Sequence, residues 1–529
     1  MPFDLNNRLY RLDAIPDDVL NFEIPKNKKN KIPKNRLKNI SFSRIVQKVD
    51  GKPYKNVTAR AQYTTEATKT ERSKAVYICS KLLGIVWDED PEWIHQTDAS
   101  RSPIAERRLK AENKTSVNPK NQEIVREISE IINPAIDFDD DAAIVKKVPI
   151  DLFLVVALCC TLQGDSCSHT VASYWNRNLH YLNDLFPELE LKEISHDSVR
   201  RIFISLTETG INKLISGFSK WLPELYDYLI KHIAIDGQAT GASRNKFNNN
   251  HRMMFLNAVD VSSGGMCIEH LRIEDKKNEK SCAPKLLDLI DINGAIVSFD
   301  AGNAYVDTAN EIVKHGGLYL LHIKDNQLNL RKKIIGLFNS ASTLLCNEDW
   351  NYVERGKRHG RYENRNVFIR PAKELTNAEL EKWPLLDEGT LIKVSRVFIE
   401  RDSLKPNSET STSEDYYITN MPFEGTQEQT RLLSACVRAH WGVEAFHWTM
   451  DCSFRQDYIQ CKIPTYLNTR QVLNKVAHNL LKVIQRIEQK ERGAKQPRSE
   501  DQLKKDVGTT LDRALGWLSK VSQEREKSM

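Results

Sequence analysis

At Ile233 the hydrophobic pattern of the chain changes period, and that change limits the fold more than any other feature. Ile233-Ala234-Ile235-Asp236-Gly237 is a short extended run that ends in an acid and a glycine. Met254 to Asp260 and Gly265 to Ile273 follow as two more strand-like runs, and the three have the spacing of an antiparallel meander. A helical pattern at about 280–290 precedes the strand-like Ala295 to Asp300, and another at about 303–314 precedes the strand-like Leu318 to Lys324. Such an order, a meander and then alternating helix and strand, implies a mixed sheet rather than a bundle or a sandwich.

It is the order of a ribonuclease-H-like sheet, and the expected fold is multidomain: a ribonuclease-H-like α/β catalytic core with a β-rich insertion, preceded by mostly helical domains. A chain of 529 residues exceeds one compact core, so two to four domains are expected. Tyr352 to Asn420 turns to β again, with strand candidates at Tyr362 to Arg370, Leu391 to Glu400 and Asp415 to Asn420 and a loop at Arg401 to Ser413. Upstream, Ile150 to Leu162 is one buried helix, and Ser168 to Leu182 is another. Ser195 is placed to cap a helix through Arg200, Arg201 and Phe203, which suits either a helix-turn-helix reader of DNA or a helical cap on the core. Tyr466 to Gln489 is an amphipathic helix, and a short helix near Leu511 to Leu518 closes a charged tail. The expected divisions are 1–60, a basic arm; 61–145, a small helical extension and linker; 146–230, a helical domain; 231–350, the first part of the core; 351–425, the insertion; 426–490, the second part of the core; and 491–529, the tail.

Net charge is only +6, and its distribution is more informative than its size. Twelve lysines and arginines lie between Lys26 and Arg60, against Asp50 as the one acid. Lys28, Lys29, Lys31, Lys34 and Arg36 make this a candidate for neutralising phosphates, with a solvated tail as the plainer alternative. The ten cysteines are scattered without a Cys-x-x-Cys pair, so neither a disulfide framework nor a zinc site is expected. The longest apolar run is too short to span a bilayer and the N-terminus lacks a signal-peptide pattern, so a cytoplasmic protein with no membrane partner is expected.

The chemistry is concentrated in acids at strand ends. Asp236 and Asp300 each terminate a strand-like run, and ligands gather at the carboxyl ends of strands in open α/β sheets. The segment His440-Trp441-Gly442-Val443-Glu444-Ala445-Phe446-His447-Trp448, read as a helix, places His440, Glu444, His447, Trp448 and Asp451 on roughly one face. Two strand acids and Glu444 from a helix laid across them would form a hard-oxygen site suited to Mg²⁺ or Mn²⁺. On spacing alone, a turn acid at Asp236, a helix cap at Asp300 and a surface acid at Glu444 remain open. The His-Glu-x-x-His order of helical zinc sites is absent. Trp441 and Trp448 either pack the helix onto the sheet or stack on a displaced base.

Five stretches, in order, resemble the DDE transposases of bacterial insertion sequences, in the branch related to the H-repeat-associated proteins. They are Ile233 to Gly237; Lys277-Asn278-Glu279 with Leu286 to Leu289 and Val297 to Ala301; Gly316 to Leu321 with Lys324, Asn326 and Gln327; His359-Gly360-Arg361-Tyr362-Glu363-Asn364-Arg365; and His440 to Glu444 with His447, Trp448, Asp451 and Phe454. The helical segment from Lys147 to about Leu222 also resembles the domain that precedes the core in this family, and the resemblance covers roughly residues 145–490. It implies that Asp236, Asp300 and Glu444 are the catalytic triad and hold two Mg²⁺ or Mn²⁺ ions. It implies a nucleoid-associated enzyme that binds the terminal repeats of its element and target double-stranded DNA as a homodimer, cutting and joining strands. Arg200, Arg201, Arg244, Lys324, Asn326, Arg361, Arg438, His440, Trp441 and Trp448 are then further DNA-contact candidates. Two departures stand out. Gln238-Ala239 follows Asp-Gly where the family usually has Lys and Arg, and Gln456-Asp457 stands where it usually has Glu-Asp. They leave a domesticated DNA-binding protein, or a nuclease that cuts without joining, as the alternative.

Overall fold

The structure is a computed structural model of the whole chain. It describes the strand backbones within 3–63 and residues 118–137, 148–225, 228–240, 253–273, 279–340, 348–358, 361–400, 410–459 and 463–528. Two compact units divide at residue 116. In the first, β1 (Phe3–Asp4), β2 (Leu9–Tyr10), β3 (Leu37–Val49) and β4 (Lys52–Tyr63) form an antiparallel sheet in that order. Val49 pairs with Lys52, so Asp50 and Gly51 alone separate the strands, and Asp-Gly is a favoured two-residue hairpin sequence. The second half of the expected basic arm is therefore a hairpin carrying Lys38, Arg44, Lys48, Lys55 and Arg60 along its backbone. Lys28, Lys29, Lys31, Lys34 and Arg36 lie outside the described residues, as does the helix expected beyond Tyr63.

The second unit is built on a nine-stranded mixed sheet. Its strands are β5 (His232–Ala239), β6 (Met254–Asp260), β7 (Met266–Ile273), β8 (Ile296–Phe299), β9 (Leu318–Ile323), β10 (Asn351–Arg358), β11 (Arg361–Pro371), β12 (Thr390–Glu400) and β13 (Thr410–Thr419). Their spatial order is β10-β11-β12-β13-β9-β8-β5-β6-β7. β8 runs parallel to β5 and to β9, and every other pairing is antiparallel. This is the ribonuclease-H-like core expected from the meander and the alternation after it. The β-rich insertion continues the sheet outward from β9 through β13, with one short helix, α10 (Asn377–Leu380), between β11 and β12.

Both faces of the central strands are covered, so all four residues of β8 are buried, as in parallel sheets generally. The period of two sends Ile233, Ile235, Val297, Phe299, Tyr319 and Leu321 to one face, against α7 (Glu279–Leu287), α8 (Val306–Lys314) and α9 (Leu328–Asn339). Ala234, Val259 and Cys267 face the other way, toward the helical layer. That layer holds α1 (Pro119–Ile132), α2 (Ile150–Thr161), α3 (Ser168–Arg177), α4 (Leu179–Leu185), α5 (His196–Ser205) and α6 (Glu208–Trp221). Ser195 caps α5 by accepting from the Ser198 amide. Arg200 and Arg201 are exposed on α5, while Val199, Ile202 and Phe203 bury its other side.

α13 (Pro464–Arg492) is the axis of this layer, begun by proline in its first turn and stopped by Gly493 at φ +58°. Around it pack α2, α5, α6 and β7, with α14 (Glu500–Val507) and α15 (Leu511–Ser528) from the C-terminal segment. The helical segment before the core, the long helix after it and the expected charged tail thus share one apolar cluster. Leu480 is wholly buried on α13 within that cluster. Leu480→Ala should cost about 2–5 kcal/mol, read as a lowered urea midpoint with an unchanged slope.

Candidate active site

Parallel pairing of β5 with β8 matches Ile235 to Phe299, so Asp236 and Asp300 are the next residues along two adjacent strands. Asp300 leads into a single 3₁₀ turn, Ala301–Asn303, in extended backbone. A Cβ at Gly302 would stand 3.2 Å from Asp300 Oδ1, so glycine leaves this carboxylate its space. Asn326 donates to the Ala301 carbonyl at 2.5 Å and Gln327 to the Ala304 carbonyl at 3.3 Å, which ties down the loop after Asp300. The Asn326 amide, a DNA-contact candidate from the sequence, is thus spent as a clasp for that loop. Lys324, beside it, is exposed.

Across the same sheet face lie α11 (Gln427–Ala439) and α12 (Gly442–Trp448), joined at His440-Trp441 and followed by a π-helical turn, Thr449–Ser453. A Cβ at Gly442 would meet Val261 Cγ1 at 2.9 Å, so the helix sits close to the sheet. Val443, Phe446 and Met450 face inward. Glu444 faces outward, with Trp441 51% and Trp448 63% exposed on the same side. The tryptophans therefore do not pack the helix onto the sheet, because Val443 and Phe446 already fill that contact. Arg396 from the insertion lies over the Trp441 ring at 5.8 Å.

The imidazoles beneath α12 are neutral. Burial lowers His440 to about 4 and His232 to about 3, and burial with the nearby Lys475 lowers His447 to about 3. His232 Nε2 and His440 Nδ1 both meet Ser298 Oγ, at 2.7 and 2.8 Å. His440 is therefore part of the support for the β8 strand rather than a surface contact. His447 Nδ1 approaches Asp236 Oδ2 at 3.6 Å. Desolvation raises the Glu444 carboxyl, and Lys324 pulls it partly back. Carboxylates of this kind beside neutral imidazoles are a donor set that fits a hard divalent cation. The described residues whose ligand atoms lie within 4.8 Å of one another in a metal-like group are instead Asp288, Glu311 and His315, at the end of α7 and along α8. That group could take one divalent ion, although Lys314 already pairs with Glu311 at 2.9 Å.

The other candidates separate clearly. Arg438 pairs with Glu354 at 3.1 Å and Glu363 at 3.3 Å, and the buried Arg365 lies 3.8 Å from Glu354. This salt network joins α11 to β10 and β11, and it occupies Arg438. Arg361 begins β11, and its side chain, like Arg244 and His359, lies outside the described residues. Gln238, singled out as a departure, also enters the site: it donates to Asp451 Oδ1 at 2.8 Å and to the His447 carbonyl at 3.3 Å. Gln238 is buried, so the position that departs from the family pattern points into the protein rather than toward a phosphate. Lys475 was detectable as a lone lysine among Val472, Leu473 and Val476.

Residues 227–464 match the transposase DDE domain family. The chain is 25% identical over 313 residues to the H repeat-associated putative transposase YhhI of Escherichia coli K12, covering 59% of this chain and 78% of that one. It is 22% identical over 363 residues to the putative transposase YncI of Escherichia coli O157:H7, covering 68% and 88%. Over 215 residues it is 26% identical to the H repeat-associated putative transposase YbfD of Escherichia coli K12, covering 40% and 82%. The piggyBac transposase synaptic complex with hairpin DNA aligns at a TM-score of 0.34 and 10% identity, over 78% of this chain and 83% of that one, too slight a likeness to argue from.

Asp451 gives this region a pH signature. Desolvation, then the charge of Asp457, pushes its carboxyl up to about 6, against the hydrogen bond from Gln238. The folded state then holds a proton that the unfolded state has released, so stability falls as pH rises from about 4 to 6. Asp451→Asn should flatten that part of the stability–pH curve, by no more than about 1–2 kcal/mol after solvent screening, as followed by urea unfolding at each pH.

Proposed function

Starting from the likeness of this chain to the DDE transposases, in their H-repeat-associated branch, we propose that it is a DNA transposase that binds the ends of its element, cleaves them and joins them to target DNA. The observation that carries this reading is the register that sets Asp236 beside Asp300 under the helix bearing Glu444. We assign these three carboxylates to two Mg²⁺ or Mn²⁺ ions. When bound, such ions activate the attacking water or 3′-hydroxyl and stabilise the leaving oxygen. The chain's own part is to hold the carboxylates on rigid strands and a packed helix and to keep the adjoining imidazoles uncharged. The clasp from Asn326 and Gln327 fixes the loop that carries Asp300.

The DNA is assigned to the outward face of α12, where Trp441 and Trp448 offer rings for stacking on either side of Glu444, with Lys324 close by. Arg200 and Arg201 on α5 and the basic residues of 1–60 supply phosphate contacts. Two ends must be processed together, so a homodimer on DNA at the bacterial nucleoid is the working assembly. No helix among the described residues is long and apolar enough to cross a membrane. The alternative of a domesticated DNA-binding protein or a nuclease drew part of its force from Gln456 and part from the missing cations after Asp236. Gln238 turns inward to Asp451, which weakens that motive.

Asp300→Ala should abolish Mg²⁺-dependent cleavage of DNA carrying the element's own flanking sequence while leaving its binding intact, measured side by side by gel cleavage and gel shift. Cleavage at the wild-type rate would refute the triad. Removing residues 1–60 should weaken DNA binding most at low salt. It should also reduce the slope of log affinity against log salt by about 0.9 for each phosphate that the arm neutralises. An unchanged slope would remove the arm from the interface.

A further inference from the structure

A row of polar side chains crosses the sheet beneath α12 and α13. Asp236 pairs in register with Asn257, and Asn257 with His270, so the three stand side by side on β5, β6 and β7. His447 from α12 and Lys475 from α13 descend on this row. Asn257 and Lys475 are 0% exposed and His270 is 1% exposed. A buried ammonium is costly unless its donors are matched. Lys475 Nζ lies 2.6 Å from Asn257 Oδ1 and 2.6 Å from His270 Nδ1, over the Phe255 ring at 5.1 Å.

The donors and acceptors along this row determine one another. Asn212 Oδ1 accepts from Asn468 Nδ2 at 2.9 Å and meets His270 Nε2 at 2.9 Å. His270 Nε2 therefore carries its proton, and His270 Nδ1 accepts from Lys475. A lysine has donors only, so it turns the oxygen of Asn257 toward itself and the amide nitrogen away. That nitrogen donates to His447 Nε2 at 3.1 Å. A neutral imidazole that accepts at Nε2 carries its proton on Nδ1. His447 Nδ1 is the atom that faces Asp236 Oδ2 at 3.6 Å, a reach of the kind that shortens when a site is loaded. Gln238 latches the same helix from beneath, through the His447 carbonyl.

We propose that Lys475 is a positioning residue of the active site: through Asn257 it holds His447 as the Nδ1–H tautomer, and that N–H orients the carboxylate of Asp236 for its metal. The proposal rests on the assignment of Asp236 as a metal ligand. Partners that orient first ligands in this way are commonly worth 10–100-fold in metal affinity. Lys475 acts without touching DNA or metal.

The test uses the full chain with ¹⁵N-labelled histidine, His447 being assigned by its absence from the spectrum of His447→Asn. The wild-type imidazole should be neutral and protonated at Nδ1, and in Lys475→Met, which keeps length and loses the donors, it should become a mixture of tautomers. Mn²⁺ affinity should fall about tenfold or more in Lys475→Met and in His447→Leu. It should stay near wild type in His447→Asn, whose amide nitrogen takes the place of Nδ1. A wild-type His447 protonated at Nε2 would overturn the proposal, and that spectrum decides even if Lys475→Met fails to fold. An unchanged tautomer in folded Lys475→Met would overturn it too. Failure of the wild-type protein to bind Mn²⁺, with the Nδ1–H tautomer present, would instead sink the assignment of Asp236 as a ligand.

Discussion

The parallel pairing of β5 with β8 is the contact on which the rest of this core depends. Parallel neighbours cannot be joined by a tight turn, so the chain must travel away and return. Here it does so through β6, β7 and α7. That detour gives the sheet its antiparallel flank and the helix that covers one face. It also brings both strands to the same end of the sheet pointing the same way. Were the pair antiparallel, the acids that follow Ile235 and Phe299 would lie at opposite ends. The apolar cost of the arrangement is visible in β8, which must be buried on both faces and consists of Ile296, Val297, Ser298 and Phe299. Its one polar residue, Ser298, is matched by His232 and His440.

Closing the site over these strands requires a helix with two characters. α12 buries Val443 and Phe446 against the sheet and leaves Trp441, Glu444 and Trp448 outside. Between the two faces, His440 and His447 spend their ring nitrogens on Ser298 and Asn257. Neutral imidazoles suit this position, since cationic ones would compete with a metal for the carboxylates. The insertion is part of this wall as well. Its strand β13 pairs with β9, which places Asp415 against His322 at 3.0 Å and Arg396 at 3.2 Å, and Arg396 reaches Trp441. Residues some distance apart in sequence therefore converge on one side of α12 because a single sheet carries them all.

The parts of this fold that were legible in the sequence are short, wholly buried apolar runs that end in an acid and helices that are capped and bury one face. Ile233 to Asp236, Ile296 to Asp300 and the capped helix at Ser195 announce themselves by period and by cap. β10, Asn351–Arg358, does not: it ends the sheet, and its sequence Asn-Tyr-Val-Glu-Arg-Gly-Lys-Arg carries charges that suit an edge strand. The tail hid the helix Glu500–Val507 and the second half of Leu511–Ser528, whose first half was expected, because Leu503, Val507 and Val521 are spread among charges. The proposed triad was legible only once a resemblance joined the strand-end acids Asp236 and Asp300 to Glu444 on a helix, since Asp-Gly alone also marks turns. The second layer was less legible still. Asn257, His270 and Lys475 are far apart in sequence, and their hydrogen bonds follow from strand register and from the angle of α13, which no local pattern encodes.

The two departures from the family pattern acquire a common physical sense from this second layer. At 238 a cation is the usual residue, and at 456 an acid. Here both are neutral amides, so at these two buried positions the charges lost are opposite, while the half-buried Ala239 stands for a second lost cation. Gln238 lies beneath the π-helical turn through Asp451, and Gln456 sits in the next turn, 0% exposed. Among the described residues neither amide atom of Gln456 has a hydrogen-bond partner, a cost of about 1–3 kcal/mol. A carboxylate left alone there would cost more, because an unpaired buried charge is the worst occupant of such a site. A neutral amide at 456 is therefore less costly than an unpaired carboxylate there. Neither departure touches Asp236, Asp300 or Glu444. The pair therefore alters the interior beneath a helix whose outward face keeps its glutamate and both tryptophans.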